Sequence, residues 1–380
     1  AMIDFSKAFN RIDHHKVIII LHEMNVPGWL LRIVVSYLQN RSMILRYNGA
    51  NSSGKSLPGG SPQGALLGVL MFIVQINKAG VPLNPDPYRD SYFHRRNRVP
   101  IQSTRVKFVD DLCIAQSINL KENLVNDDVP VRPVTFDSRT GHILPQNSII
   151  QQQLDDLKEY AELNSMKINK EKTKVMKFNM RKKYDFPVRL SLENNEYLEV
   201  VDNCKLLGTI ISSDLKWGKN TKNLIKKTMS SMWMLRRLKN QGLSIEEMLE
   251  VYCLKIRSKL ELACPLWHSA ITLKEKNDLE RIQKIAFHII LGRRYSTYQQ
   301  ALDTLGQDTL ELRRQKQTDK FSRKYSRDPR QNKNFRKIIN TTRAKDSKKF
   351  YVPYYRTARY ENTTIPSLGK IINEKLRHKI

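Results

Sequence analysis

The sequence predicts an α+β fold through residue 213, an all-helical region over 214–310, and a basic aromatic C-terminal region over 311–380. Three observations carry this. Short apolar runs of strand character, such as "AMIDF", "SMILRYNG" and "VKFV", are separated by stretches of helical periodicity in the first part. After Trp217 the chain shows helical stripes behind capping signals. From Glu311 to the end, 21 Lys and Arg stand against 6 Asp and Glu, interleaved with Phe321, Tyr325, Phe335, Phe350, Tyr351, Tyr354, Tyr355 and Tyr360.

In order, "AMIDF" reads as a short strand ending in an acid. Amphipathic helices are expected over Lys16 to Met24 and Trp29 to Gln39, punctuated by Pro27 and Gly28. "SMILRYNG" reads as a strand ending in a turn, and "LPGGSPQGALLGVLMF" as a Gly/Pro-rich loop running into an apolar helix. Insertions are expected near 80–105 and 121–146, on either side of a strand pair around Asp110. Residues 149–164 are helical by period, and "NKEKTKVMKF" and "CKLLGTIIS" read as strands with polar lead-ins. "SIEEMLEVYCLKIRSKL" opens with Ser244 and Glu247 spaced as a capping box, and its stripe is Met248, Leu249, Tyr252, Ile256 and Leu260. "TLKEKNDLERIQKIAFHIILG" repeats the device with Thr272 and Glu275 and should stop at Gly292.

Charge narrows the function. The 380 residues contain 66 Lys and Arg against 37 Asp and Glu, a formal net of +29. Such an excess attracts polyanions in a salt-dependent way, with nucleic acid the natural partner and an anionic membrane surface the competitor. The run "ALLGVLMFIVQI" is too short to span a bilayer comfortably, and with nucleic acid the favoured polyanion no membrane partner is expected. Cys113, Cys204, Cys253 and Cys264 lack CxxC spacing, which argues against a zinc site or a disulfide framework.

The unusual stretch is "VKFVDDLCIA", where Asp110 and Asp111 sit between apolar runs. Unpaired carboxylates are costly to remove from water. In an extended strand the two would point to opposite faces, whereas a tight turn between "VKFV" and "LCIA" would present both. A plain hairpin turn is the alternative reading. Two-residue turns, however, favour Asn-Gly or Asp-Gly, so two adjacent acids suit a bound cation better. Asp4 ends another apolar strand. Three carboxylates at strand ends form a hard-oxygen set suited to Mg²⁺, and two such ions roughly 4 Å apart could activate a hydroxyl and stabilise a leaving pyrophosphate. Spacing alone does not bring Asp4 and Asp110 together.

"DFSKAFNRIDH", "GGSPQGALLG", "FVDD", "NKEKTKVMKF" and "KLLGTIISSDLKW" occur in the order and rough spacing of five successive palm motifs of reverse transcriptases. The chain most resembles the non-LTR (LINE-type) retrotransposon enzymes, through about residue 315. The resemblance implies a right-hand polymerase palm, an antiparallel sheet backed by helices, followed by a helical thumb. It implies an RNA-directed DNA polymerase that uses an RNA template, a DNA primer, dNTPs and two Mg²⁺ ions, with Mn²⁺ as a substitute. Protein partners stay unknown, and a nuclear location follows from the family's genomic work alone.

Carried over by residue, Asp4, Asp110 and Asp111 are the expected catalytic metal ligands, with the Phe5 carbonyl as an added one. Phe9 is expected beneath the sugar, where it would exclude a 2′-hydroxyl; plain core packing is the alternative. Pro62, Gln63 and Gly64 are expected at the incoming nucleotide, and Lys172 near its triphosphate. Leu206, Leu207 and Gly208 match the primer grip. Lys222, Lys226, Lys227, Arg236 and Arg237 are expected along the nucleic-acid backbone.

Asn10 stands where the family most often has an aspartate, and Val69 replaces a frequent proline. The opening at Ala1, in what reads as a core strand, leads to the expectation of a fragment beginning at the first palm aspartate motif, without the fingers segment or an upstream endonuclease. The alternative function is therefore a catalytically inactive relic that retains RNA binding. An RNA-directed RNA polymerase would share the acids, but Phe9 argues against it.

Overall fold

Ile3 and Phe5 alternate with Met2 and Asp4 along the first strand, and the odd positions are buried while the even ones are half-exposed. That two-residue period places strand β1 (Met2–Ile3) with one face on the core. The computed structural model describes residues 1–61, 66–77, 103–108, 111–116, 136–137, 142–143, 149–178, 190–193, 196–327, 350, 352 and 361–377. The chain divides into two units, Ala1–Cys204 and Lys205–Ile380.

In the first unit, Asp13 caps helix α1 (His14–Glu23) by accepting from the backbone of His15 and Lys16. Pro27 precedes α2 (Gly28–Leu38). The expected strand "SMILRYNG" divides into β2 (Ser42–Met43) and β3 (Arg46–Tyr47), which pair with β5 (Lys55–Ser56) and β4 (Ala50–Asn51). Asn48 and Gly49 turn the chain between β3 and β4 with positive φ. Helix α3 spans Leu66–Asn77. Strands β6 (Ser103–Phe108) and β7 (Asp111–Gln116) form a hairpin. A small ladder, β8 (Phe136–Asp137) with β9 (His142–Ile143), precedes α4 (Ile149–Leu163). Val17, Val34, Leu38, Phe72, Leu154 and Leu157 join Ile3, Phe5, Leu112 and Ile114 in one core.

Strands β10 (Lys174–Val175) and β13 (Glu199–Val200) complete a five-stranded sheet ordered β13-β10-β1-β7-β6. It departs from the expected all-antiparallel sheet at one edge, where β10 and β13 run parallel. The connection between them holds the hairpin β11 (Ser191–Glu193) and β12 (Glu196–Tyr197), and is long enough for the crossover that parallel pairing needs. The strand expected in "NKEKTKVMKF" behind a polar lead-in forms only at Lys174 and Val175, and Lys170, Glu171 and Lys172 make a turn ahead of it. Thr173 closes that turn, donating its hydroxyl to the Asn169 carbonyl at 2.7 Å.

"CKLLGTIIS", a strand by its pattern, is a hairpin, as its match to the primer-grip hairpin implied. β14 (Asn203–Leu206) and β15 (Thr209–Ser212) are joined by Leu207 and Gly208 at φ 46° and 85°. Positive φ at both positions makes the turn of mirror-image type that matches strand twist. Buried Asn220 accepts from the Ile210 backbone at 3.0 Å and ties the hairpin to α5 (Gly218–Asn240).

Both capping boxes form as expected, Ser244 with Glu247 on α6 (Ile245–Tyr252) and Thr272 with Glu275 on α7 (Leu273–Leu291). The helix after Tyr252 widens to a π-turn over Cys253–Arg257. This looser winding keeps Tyr252, Ile256 and Leu260, spaced four apart, fully buried on one side. Helices α8 (Tyr298–Thr304) and α9 (Leu310–Arg327) follow. A buried polar chain links them: Tyr252 donates to Gln283 at 2.5 Å, Gln283 donates to Tyr298 at 2.9 Å, and Tyr298 donates to Glu280. Glu280 in turn accepts from the Leu310 backbone at 3.0 Å, at the start of α9. Beyond it, α10 (Thr364–Arg377) packs on α9, with Phe321 and Tyr325 against Phe350, Leu368 and Ile372. Three of the tail's aromatics thus build a small core instead of an exposed stacking surface.

Candidate active site and nucleic-acid surfaces

β1 pairs with β7 through Met2↔Cys113 and Ile3↔Leu112. The next residue on each strand is an aspartate, Asp4 on one and Asp111 on the other. Directly opposed residues of an antiparallel pair have Cα atoms roughly 4.5–5.5 Å apart. The register thus brings together two acids separated by more than a hundred residues of chain. The hairpin register also corrects the turn. Phe108 pairs with Asp111, so Asp111 is the first residue of β7 and not a turn residue. Asp110 lies outside the described residues, as do Pro62, Gln63 and Gly64.

The backbone of Asp4 is held on both sides. Its carbonyl accepts from Asn169 at 2.7 Å, and its N–H points at the Thr173 hydroxyl at 3.4 Å. Phe5 bridges Ile168, and its ring is buried in the core. The Asp4 side chain keeps 26% exposure, and its Oδ2 lies 3.6 Å from Lys172 Nζ. That oxygen is shielded yet accepts no hydrogen bond. An ammonium at this distance compensates only part of the charge, so the oxygen retains capacity for a closer cation. Carboxylate oxygens are the donors a hard divalent cation takes. Among the described residues no group of three His, Cys, Asp or Glu side chains is gathered for a metal. Asp4 can offer such an ion one oxygen as part of a set.

Lys172, whose side chain is largely exposed, owes its place to the Asn169–Thr173 turn, where its N–H donates to Asn169 Oδ1 at 3.2 Å. Phe9 sits in a 3-10 turn over Ala8–Arg11, its ring centroid 5.1 Å from that of Phe72. It packs against the core and is only half-buried, so one edge is open to solvent.

Gly59 and Gly60 pass close to the backbone around the Phe9 turn. A Cβ on Gly60, at φ +79°, would lie 3.1 Å from the Asn10 carbonyl; one on Gly59 would lie 3.1 Å from that of Ile12. The loop is laced to the Phe9 turn: Ser61 N–H donates to Phe9 at 2.9 Å, Gly60 N–H donates to Ile12 at 2.7 Å, and His14 Nε2 contacts the Gly60 carbonyl at 2.7 Å. "GG" ahead of "SPQG" was the available signal, since paired glycines mark tight passage; His14 left none.

In the second unit, Leu206, Leu207 and Gly208 form the end and turn of the β14–β15 hairpin, with Leu207 half-exposed. Lys222, Lys226, Lys227, Arg236 and Arg237 are all exposed on α5, whose opposite side buries Leu224, Thr228, Met232 and Leu235. The helix contains no acid. Trp233 stands on the same side at 62% exposure, with the Arg237 guanidinium 5.4 Å from its ring centroid. Cations flanking an exposed indole can meet both phosphates and bases. Among the described residues no helix is long and apolar enough to cross a membrane.

An acid at the end of a central strand has a second acid one register step away, and the second unit carries a basic helix face without an acid. Comparison with known proteins is specific. The profile of the reverse transcriptase (RNA-dependent DNA polymerase) family matches residues 1–211, and the chain belongs to that family. It is 22% identical over 299 residues to the probable RNA-directed DNA polymerase from transposon X-element of Drosophila melanogaster. The match covers 76% of this chain and 28% of that protein, so the chain spans under a third of its relative's length. The resemblance to transposon reverse transcriptases read from the five motifs is borne out.

Proposed function

We propose that this chain carries the polymerising core of a non-LTR mobile element, an RNA-directed DNA polymerase that joins dNTPs to a DNA primer 3′-OH on an RNA template. On this reading the first unit is the palm and the helices after Trp217 are the thumb. Asp4, Asp110 and Asp111, with the Phe5 carbonyl, would hold two Mg²⁺ ions, which Mn²⁺ can replace. Such ions, when bound, lower the pKa of an attacking hydroxyl and offset charge on the leaving pyrophosphate. Phe9 limits space beside the sugar, and Gly59 and Gly60 fix the Phe9 turn against the loop leading into Pro62, Gln63 and Gly64. Lys172 offers an ammonium beside the acids, within reach of a triphosphate. Leu206 to Gly208 would support the primer end, and Lys222, Lys226, Lys227, Arg236 and Arg237 the template–primer backbone.

The observation that carries this reading is the β1–β7 register, which sets Asp4 and Asp111 on adjacent strands with an Asp4 oxygen unsatisfied. Primer extension on an RNA template is the test, with dNTPs compared against rNTPs. Asp110→Ala should lower extension by roughly 10³-fold, since several kcal/mol of transition-state stabilisation depend on the ligand set. Undiminished extension by Asp110→Ala would sink the assignment. Salt-dependent RNA binding by the parent chain with no dNTP incorporation would favour the inactive relic instead.

A further inference from the structure

The α9 helix carries a second concentration of charge that the polymerase reading does not use. Lys320, Arg323, Lys324 and Arg327 gather at one place on its surface. They fall at i, i+3, i+4 and i+7, one face of a helix, and all four are exposed. Among the described residues none has a carboxylate partner. The acids of this helix are engaged elsewhere: Glu311 accepts from Lys276 at 2.7 Å, and Asp319 from Gln315 at 3.1 Å.

Like charges at these spacings repel, and the packing of this helix fixes which way they face. Arg314, Thr318 and Ser322 are fully buried on its other side, and Phe321 and Tyr325 are packed into the core shared with α10. The helix dipole favours cations in the last turn, which accounts for Lys324 and Arg327 but not for four together. The tertiary structure therefore holds four cations, with no carboxylate partner among the described residues, in a row roughly 10 Å long, about three phosphate spacings along one strand of a duplex. The inward turn of Phe321 and Tyr325 removes the rings that would stack on bases.

We propose that this face of α9 is a second nucleic-acid site, distinct from the α5 face, that grips the phosphodiester backbone without reading sequence. It follows from charge and packing alone and does not rest on the polymerase reading. The test measures binding of the full chain to labelled RNA and DNA homopolymers of equal length across a salt series. A variant with Lys320, Arg323, Lys324 and Arg327 all changed to Gln is compared with one that loses the same charge at scattered exposed positions, Lys55, Lys255, Lys274 and Arg281. The α9 variant should bind about tenfold more weakly at low salt, with the slope of log K against log salt reduced by about 2–3, equally for poly(U), poly(A) and poly(C). Equal loss on RNA and DNA indicates backbone phosphate; loss on RNA alone adds a contact to the ribose, and either outcome supports the site. Should the fourfold variant melt early, the Arg323→Gln, Arg327→Gln double variant should give about half the slope change. An unchanged slope, an equal change in the scattered-charge control, or a loss seen only on phosphatidylserine vesicles and not on RNA overturns the proposal.

Discussion

Asp4 and Arg314 both leave charged atoms buried without a hydrogen-bond partner among the described residues, but their surroundings differ. Asp4 ends a strand, keeps about a quarter of its side chain in solvent and has one ammonium at 3.6 Å. Arg314 is sealed at 0% exposure over the Trp267 ring, with all three guanidinium nitrogens unsatisfied. Burial pushes its pKa down, against the attraction of Glu280 and other nearby acids. An unsatisfied charge at an open strand end can be completed by a ligand. One sealed in a helical core has no such recourse and weighs on stability.

The sharpest way to break this comparison is to neutralise each in turn. Asp4→Asn should cut primer extension by roughly 10³-fold, yet shift the melting temperature little, because a half-exposed ion pair contributes at most about 1 kcal/mol. Loss of fold in that variant would show the acid to be structural. Arg314→Met should do the reverse, raising stability by about 1–3 kcal/mol, several degrees in Tm, while leaving RNA binding intact. A lower Tm would mean that the guanidinium is satisfied after all.

His268 sharpens the same contrast. It is buried, its Nδ1 lacks a partner, and its pKa is lowered by burial first and by Arg314 second. The unfolded chain takes up a proton near pH 6.5 that the folded chain resists until lower pH. Stability is therefore full above about pH 6.5 and falls below it, at no more than about 1.4 kcal/mol per pH unit from this group. Thermal melts of His268→Gln should be flatter over that range, and Arg314→Met should lessen the acid loss of the parent. Parallel pH profiles for all three would remove the effect from this site. The smallest effect concerns Leu207, whose left-handed φ of 46° suits Asn better. Leu207→Asn should stabilise the hairpin by about 0.5–1 kcal/mol in denaturant titration; if the turn supports a primer, extension should weaken as the fold strengthens.

Much of the fold was legible because its causes are local. The two capping boxes need residues three apart, and both formed. The helices over 14–23, 28–38 and 149–163 followed their apolar period to within two residues. Errors came where short strands meet turns. A short run of strand residues cannot by its pattern separate "CKLLGTIIS" as one strand from two strands around a glycine turn; only the match to the primer grip implied the hairpin. The edge pairing of β10 with β13 depends on a crossover that no local pattern encodes.

The candidate site divides the same way. Asp110 and Asp111 were suspect from sequence because charge is out of place among apolar residues, and the motif order supplied their family. What joined Asp4 to Asp111 was hydrogen-bond register between distant strands, a nonlocal quantity. The tail shows the limit most plainly. "ELRRQKQTDKFSRKYSR" reads only as part of a basic aromatic region, because the positions it buries, Arg314, Thr318 and Ser322, are polar and carry no hydrophobic signal. Sequence by itself determined caps, periods, turns and the sum of charge, all set by neighbours along the chain. Only the tertiary structure decided which acids share a sheet position and which cations are sealed in or left facing solvent, because those depend on packing between segments far apart in sequence.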